Sequence, residues 1–199
     1  MTKKYEKMWS HTAIRMQLVL PDSPPCRIVI LGPSGSGKST VCKRIGRILG
    51  IPVIHLDMHF WNPNWIETPK EEWHEKVRKL VTSETWVMDG NYSSTLKIRT
   101  DVADTIILLD MTRRQSYLRV IVRWLKNRGK TRSDVAEGCP EKIDMEFLRW
   151  IWTYPRRRKP ATLRFLKRLE ASKNVYYLQN QQEIEKFLKA LRIRYGRNS

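Results

Sequence analysis

Short unbroken apolar runs alternate along the chain with longer stretches of helical period. Arg27–Leu31 is the first run, closed by Gly32; a continuous apolar stretch of this kind suits a strand buried on both faces of a parallel sheet. Lys38–Leu49 follows, with Val41, Ile45, Ile48 and Leu49 on one helical face and Gly50 as its stop. Residues 53–56 predict a second strand, and Pro69 followed by Trp73, Val77, Leu80 and Val81 predicts a second helix. A third strand at 86–88 ends in Asp89-Gly90. A fourth, Thr105–Leu109, leads into a helix carrying Tyr117, Leu118, Ile121, Val122 and Leu125. Residues 127–140 are polar, contain glycine and predict a mobile loop. Two helical stretches flank Pro155, and a fifth strand at 175–178 precedes a last helix at 183–191. Strands alternating with helices predict a single α/β domain around a parallel sheet. Residues 1–25 lack such a period and end in a Pro-rich stretch, so they predict a flexible N-terminal extension, with the domain occupying 26–199.

Composition narrows the class. The 199 residues are 41% hydrophobic with eight Trp, enough for a sizeable core, which excludes wholesale disorder. No apolar run approaches the roughly 18 residues of a membrane span. The stretch 13–20 is interrupted by Arg15 and Gln17 and lacks a cleavage site, so neither a membrane segment nor a signal peptide is expected. Cys26, Cys42 and Cys139 are odd in number and widely spaced, against a disulfide framework or zinc site. A cytoplasmic monomer or homodimer is the expectation. The charge is the outlier: 38 Lys and Arg against 20 Asp and Glu give +18. Residues 101–199 hold 23 of those cations against 11 acids, the first hundred 15 against 9. A solvated basic surface, a nucleic-acid partner and a highly anionic small substrate all fit this excess.

Gly32-Pro33-Ser34-Gly35-Ser36-Gly37-Lys38-Ser39, with Thr40 next, matches the P-loop (Walker A) pattern G-x-x-x-x-G-K-[ST] between a predicted strand and a predicted helix. Gly32, Gly35 and Gly37 let backbone N–H groups, with that of Ser36, turn around phosphate oxygens, and the helix start adds partial positive charge. Lys38 suits the β- and γ-phosphates and Ser39 suits magnesium. ATP with Mg2+ is the expected ligand. A carboxylate at a neighbouring strand end supports such a metal; Asp89 and Asp110 both qualify, and Asp89 is favoured because Gly90 follows it.

Asp57 closes the second predicted strand on the ligand side of the sheet, placed to orient or deprotonate an acceptor hydroxyl. His55, Asp57 and His59 form a weaker metal candidate, since the two histidines need not face one way. Arg119 and Arg123, four apart on one helix, suit the equatorial oxygens of a transferring phosphoryl group; a solvated basic face is the alternative. Arg128, Lys130 and Arg132 lie in the predicted loop beside them, and the run Arg156-Arg157-Arg158-Lys159 is a solvated or nucleic-acid-facing patch. Trp61, Trp65 and Trp73 predict either a ring-stacking surface or a local minicore.

The P-loop, the turn Asp89-Gly90-Asn91-Tyr92 and the pair Arg119 and Arg123 resemble the adenylate kinase architecture. More specifically, His55-Leu56-Asp57, Trp61-x-Pro63-x-Trp65, the Asp89–Tyr92 turn, Gly129-Lys130-Thr131-Arg132 and Cys139-Pro140-Glu141-Lys142-Ile143-Asp144 resemble the bacterial DNA topology modulation protein family, adenylate kinase-related P-loop proteins. The resemblance spans residues 26 to about 191. It implies a three-layer P-loop fold with a five-stranded parallel sheet of order 2-3-1-4-5. It also implies an acceptor-binding segment near 58–82 and a lid near 127–158. Where nucleoside monophosphate kinases carry Pro-Arg after their Asp-Gly-Phe turn, this chain has Asn91-Tyr92, so an AMP acceptor is not implied. Two functions follow as expectations: a magnesium-dependent phosphotransferase acting on a small acceptor, and an ATP-dependent nucleic-acid-binding NTPase that modulates DNA topology.

Overall fold

The structure, a computed structural model, describes residues 19–157 and 159–196. Its main sheet has five parallel strands, β1 (Arg27–Leu31), β2 (Val53–His55), β5 (Trp86–Asp89), β6 (Thr105–Leu109) and β7 (Asn174–Leu178), in the order β2-β5-β1-β6-β7. Counting these five alone, that is the order 2-3-1-4-5. The apolar runs behave as expected: β5 and β6 are buried throughout, because helices cover both faces.

Helix α1 (Lys38–Leu49) and the last helix, α8 (Gln181–Tyr195), close one face over Ile28, Ile30, Val87, Ile107 and Leu109. The other face, with Val29, Leu31, Met88, Ile106 and Leu108, packs on Trp73 and Val77 of α3 (Lys70–Leu80) and on Leu166 of α7 (Lys159–Leu169). The alternate residues of β1 thus feed opposite cores, as the strand period of two demands. Residues 56–67 form the short helix α2 (Leu56–Phe60) and a small antiparallel hairpin, β3 (Trp61–Asn62) with β4 (Ile66–Glu67), joined by the 3-10 turn Pro63–Trp65. Helix α4 (Leu96–Val102) connects β5 to β6, and α5 (Arg113–Asn127) with α6 (Met145–Arg157) brackets the lid region.

Four expectations change. The second strand stops at His55 and Leu56 opens α2, so Asp57 lies in the first turn of a helix and not at a strand end. Helix α6 continues through Pro155 to Arg157, although that proline supplies no N–H for the Ile151 carbonyl one turn earlier. Packing begins before residue 26: Leu20 is 6% exposed in the α1–α8 core, the Tyr176 hydroxyl donates to the Val19 carbonyl (2.9 Å), and Arg194 pairs with Asp22 (2.7 Å). The expected extension, 1–18, otherwise lies outside the described residues, as do the side chains of the run 156–158. Finally, α5 turns its predicted apolar face outward, with Leu118 and Leu125 each 61% exposed, while Ser116 and Val120 are buried. The cause lies in the P-loop, described next. Among the described residues no helix is long and apolar enough to cross a membrane.

Candidate functional site

The loop 32–39 leaves the C-terminal end of β1, with β5 on one side and β6 on the other, the topological switch point where open α/β sheets place ligands. Gly35 has φ 80°, and a Cβ there would stand 2.3 Å from the Ser116 carbonyl oxygen and 3.0 Å from Val120 Cγ2. Helix α5 is therefore pressed directly onto the loop, which fixes its rotation and sends Leu118, Val122 and Leu125 to solvent. Helix α1 starts at Lys38 without a side-chain cap and without an acidic residue in its first turn. Its leading N–H groups are left to an anion. The Ser36 hydroxyl is buried with no partner, a second unanswered polar group in the same cradle. Lys38 Nζ donates to the carbonyls of Gly32 (2.8 Å) and Pro33 (3.0 Å). Burial lowers its pKa, against the opposing fields of Asp89 and Asp57. Thr40 is exposed.

Asp89 is buried at the end of β5 and bonds His55 Nδ1 at 2.7 Å. Cys42 completes a compact trio with them, but burial pushes its thiol far above the ordinary range, and its S–H donates to the Val87 carbonyl (3.4 Å). A protonated thiol facing a carbonyl is packing and not a ligand set. His55, Asp57 and His59 do not converge: His55 belongs to Asp89, while Asp57 accepts from the Tyr92 hydroxyl at 2.6 Å. Burial raises the Asp57 pKa, and the Tyr92 bond opposes the rise. Asp110, the other candidate carboxylate, is engaged by Lys159 (2.5 Å) and the Tyr177 hydroxyl, so it ties α7 to the sheet.

The turn after β5 is held from two sides by residues whose roles the sequence did not disclose. The Asn91 side chain exchanges hydrogen bonds with Gly32, accepting from its N–H (3.1 Å) and donating to its carbonyl (2.5 Å). It thus extends the β1–β5 pairing by one amide. Arg99, fully buried on α4, donates to the carbonyls of Gly90 (2.9 Å) and Tyr92 (2.9 Å), and burial lowers its pKa to about 10. Gly90 has φ 141°, and a Cβ there would meet Leu56 Cβ at 2.8 Å. The turn is thereby pressed against the start of α2, next to Asp57. The acceptor segment splits its tryptophans. Trp73 is core, packed edge-on against Phe60, whereas Trp61 and Trp65 form a half-exposed T-shaped pair 5.4 Å apart.

Arg119 and Arg123 share a face of α5, as their spacing predicts, but meet different partners. Arg119 reaches the Ser36 carbonyl (3.4 Å) and Gln181 (3.2 Å), lying over the P-loop. Arg123 is bound by Glu141. Residues 127–141 fold back on themselves through bridges from Arg128 to Glu141 and from Thr131 to Pro140. Their tip docks on α1: Lys43 donates to the Ser133 hydroxyl (3.0 Å), and Asp134, paired with Arg132, has a pKa below the usual carboxylate range, burial opposing the fall and Arg132 and the nearby Ser39 driving it. Lys38, Ser39, Asp57, Asp89 and Arg132 thus gather at the C-terminal edge of the sheet, with Arg119 and Arg123 on the adjacent helix face.

No protein-family model matches the sequence, and no curated protein is a significant match to it. Solved structures do match the fold. Shikimate kinase from Bacteroides thetaiotaomicron superposes with TM-score 0.52 at 17% identity, covering 85% of this chain and 97% of that one. A protein from Chloroflexus aurantiacus provisionally described as a kinase superposes with TM-score 0.51 at 12% identity, covering 86% and 99%. The chain has the P-loop kinase fold.

Proposed function

We propose that the protein is an ATP- and magnesium-dependent phosphotransferase that acts on the hydroxyl of a small acceptor. The observation that carries this reading is that the P-loop and an acceptor-side carboxylate share one crevice. Lys38 feels both Asp89 and Asp57, and Asp57 in turn is held by Tyr92 at the mouth of the 58–82 segment. The partnerless Ser36 hydroxyl and the uncapped start of α1 suit triphosphate oxygens. Ser39 and Asp89 would hold magnesium, Asp89 with one oxygen fixed by His55. The metal neutralises charge on the phosphate oxygens when bound.

Within that reading the chain's own groups have separate tasks. Lys38 exchanges the carbonyls of Gly32 and Pro33 for phosphate oxygens. Arg119 and Arg123 offset the charge of the transferring group. Asp57 accepts the acceptor's hydroxyl proton, and burial suits it by raising its proton affinity. Trp61 and Trp65 offer the acceptor an apolar wall, while the docked tip 132–135 screens the crevice from water. Among the described residues, the one buried guanidinium near the acceptor turn, that of Arg99, is committed to the backbone carbonyls of Gly90 and Tyr92. This favours an acceptor without a phosphate of its own.

The test is transfer from labelled ATP to a panel of nucleosides, nucleoside monophosphates, sugars and hydroxy acids. A labelled acceptor is expected with wild-type protein and none with Lys38→Ala, at unchanged thermal stability. Undiminished transfer by Lys38→Ala would refute the assignment; ADP formed at one rate regardless of acceptor would replace transfer by hydrolysis.

A further inference from the structure

Glu141 is a lid carboxylate with 3% of its side chain exposed, and it touches guanidinium groups from two different elements. Its Oε1 accepts from Arg123 Nε at 2.9 Å and lies 2.8 Å from Arg123 Nη2; its Oε2 lies 2.5 Å from Arg132 Nε. Arg123 comes from α5 and Arg132 from the lid, so Glu141 bridges elements that the chain otherwise leaves separate. The two guanidiniums stand close together: burial first and then Arg132 lower the Arg123 pKa, and Glu141 opposes the fall. Without an anion between them, two like charges would part.

The way Glu141 holds them matters. It engages Arg123 along the Nε edge and is ion-paired with Arg132 at Nε, while Asp134 accepts from Arg132 Nη1. Among the described residues, the Nη1 group of Arg123 and the Nη2 group of Arg132 then have no protein partner. Arg123, fixed along one edge, presents the other for bidentate contact, and Arg132, held at Nε and Nη1, presents Nη2 alone. Those remaining donors face Lys38, whose ammonium feels both arginines, and Ser133, next to Arg132, accepts from Lys43 of α1 at 3.0 Å. Glu141 and Asp134, which accepts from Arg132 Nη1 at 3.1 Å, match the two guanidiniums, so the positive excess of the cluster is that of Lys38.

We infer that Glu141 is a positioning residue: it clamps Arg123 and Arg132 side by side so that together they grip the terminal phosphate of a nucleoside triphosphate. The inference rests on the triphosphate reading of the P-loop and adds Arg132 to the phosphate-binding set. Glu141 itself touches no ligand. Its role predicts discrimination between nucleotides: the P-loop serves ATP and ADP alike, whereas the clamp acts on ATP alone.

The experiment measures dissociation constants of MgATP and MgADP by calorimetry for wild type, Glu141→Gln and Arg132→Gln. Glu141→Gln keeps the shape and removes the charge. ATP affinity is expected to fall about tenfold with ADP affinity changed less than about twofold, the loss of one charge-assisted contact pair. Arg132→Gln is expected to show the same split. Equal losses for both nucleotides in Glu141→Gln would mean a merely structural role, and unchanged or tighter ATP binding would mean no clamp; each overturns the inference. Should Glu141→Gln not fold, Arg132→Gln decides alone: the split supports the clamp and its absence overturns it. Wild-type protein that binds neither nucleotide would overturn the P-loop reading and the clamp together, whereas nucleotide binding without the split removes the clamp only.

Discussion

Asn91 joins the acceptor-side turn to the phosphate loop, and replacing it tests whether that joint exists. Its amide makes two hydrogen bonds to Gly32, one in each direction. In Asn91→Ala both are lost. The Gly32 carbonyl keeps Lys38 Nζ as a donor at 2.8 Å, but the buried Gly32 N–H is left without an acceptor. A net hydrogen bond is worth about 1 kcal/mol and an orphaned buried donor costs about 1–3 kcal/mol, so the truncation should cost about 2–3 kcal/mol. Asn91→Asp is nearly isosteric and retains the acceptor for Gly32 N–H. It replaces the donor by an oxygen facing the Gly32 carbonyl from 2.5 Å. Losing that bond and opposing two acceptors costs about 2–4 kcal/mol. Attraction to the Lys38 ammonium returns about 1 kcal/mol at this half-buried position. Both variants should therefore lose about 2 kcal/mol, a fall in Tm of about 4–8 °C for a chain of this size. They should differ in ligand binding, because only the aspartate competes with phosphate for Lys38; Asn91→Asp should bind ATP more weakly than Asn91→Ala. Thermal unfolding followed by circular dichroism, with ATP titrations alongside, reads both. An Asn91→Asp protein within about 0.5 kcal/mol of wild type would refute the reciprocal pairing.

Two further predictions concern the same crevice. Gly35→Ala places a methyl 2.3 Å from the Ser116 carbonyl at φ 80°, so α5 and the loop must separate; ATP binding should be lost while far-UV circular dichroism stays native, and retained affinity would show that α5 does not fix the loop. Asp57 has a raised pKa, so the folded protein holds this proton more tightly than the unfolded chain does. Stability is then lost as pH rises from about 4 through the folded pKa. Asp57→Asn should be more stable than wild type at pH 7, equal to it below pH 4, and unable to transfer phosphate. Tyr92→Phe, which removes the opposing hydrogen bond, should move the acid limb of the pH–rate profile upward, and an unmoved limb would disconnect Asp57 from the chemistry.

What the sequence disclosed follows from the range of the forces involved. Buried parallel strands must be apolar on both faces, so β1, β5, β6 and β7 stand out as runs, and the P-loop is legible because its whole function lies in eight consecutive residues. The sheet order was reached through resemblance, since periodicity alone does not rank neighbours. Asn91 and Arg99 left no mark for a different reason. A side-chain amide that pairs with a backbone 59 residues away has no period, and an arginine in the sequence Leu96-Lys97-Ile98-Arg99 looks solvated until the turn it fills is in place. Glu141 was equally silent, a lone acid whose partners come from two elements. The apolar positions of α5 misled because steric contact at Gly35, and not hydrophobic burial, sets that helix's rotation. Asp110 stood in a suitable place and was claimed by Lys159 and Tyr177.

The contacts that bind residues 19–22 to α8 also have a mechanical meaning. Arg194 holds Asp22, Tyr195 donates to the Pro21 carbonyl, and Tyr176 donates to that of Val19. Helix α8 runs back from the end of β7, so the first and last described segments meet where β1 begins, at the end of the sheet opposite the P-loop. Tension applied between residue 19 and the end of α8 would load this clasp first, in the manner of a buckle, and would leave the crevice slack. Labels or tethers attached at residues 19–22 or at the end of α8 consequently sit remote from the phosphate loop, and a single-molecule handle placed there would report the opening of α8 as an event separate from the loss of the site.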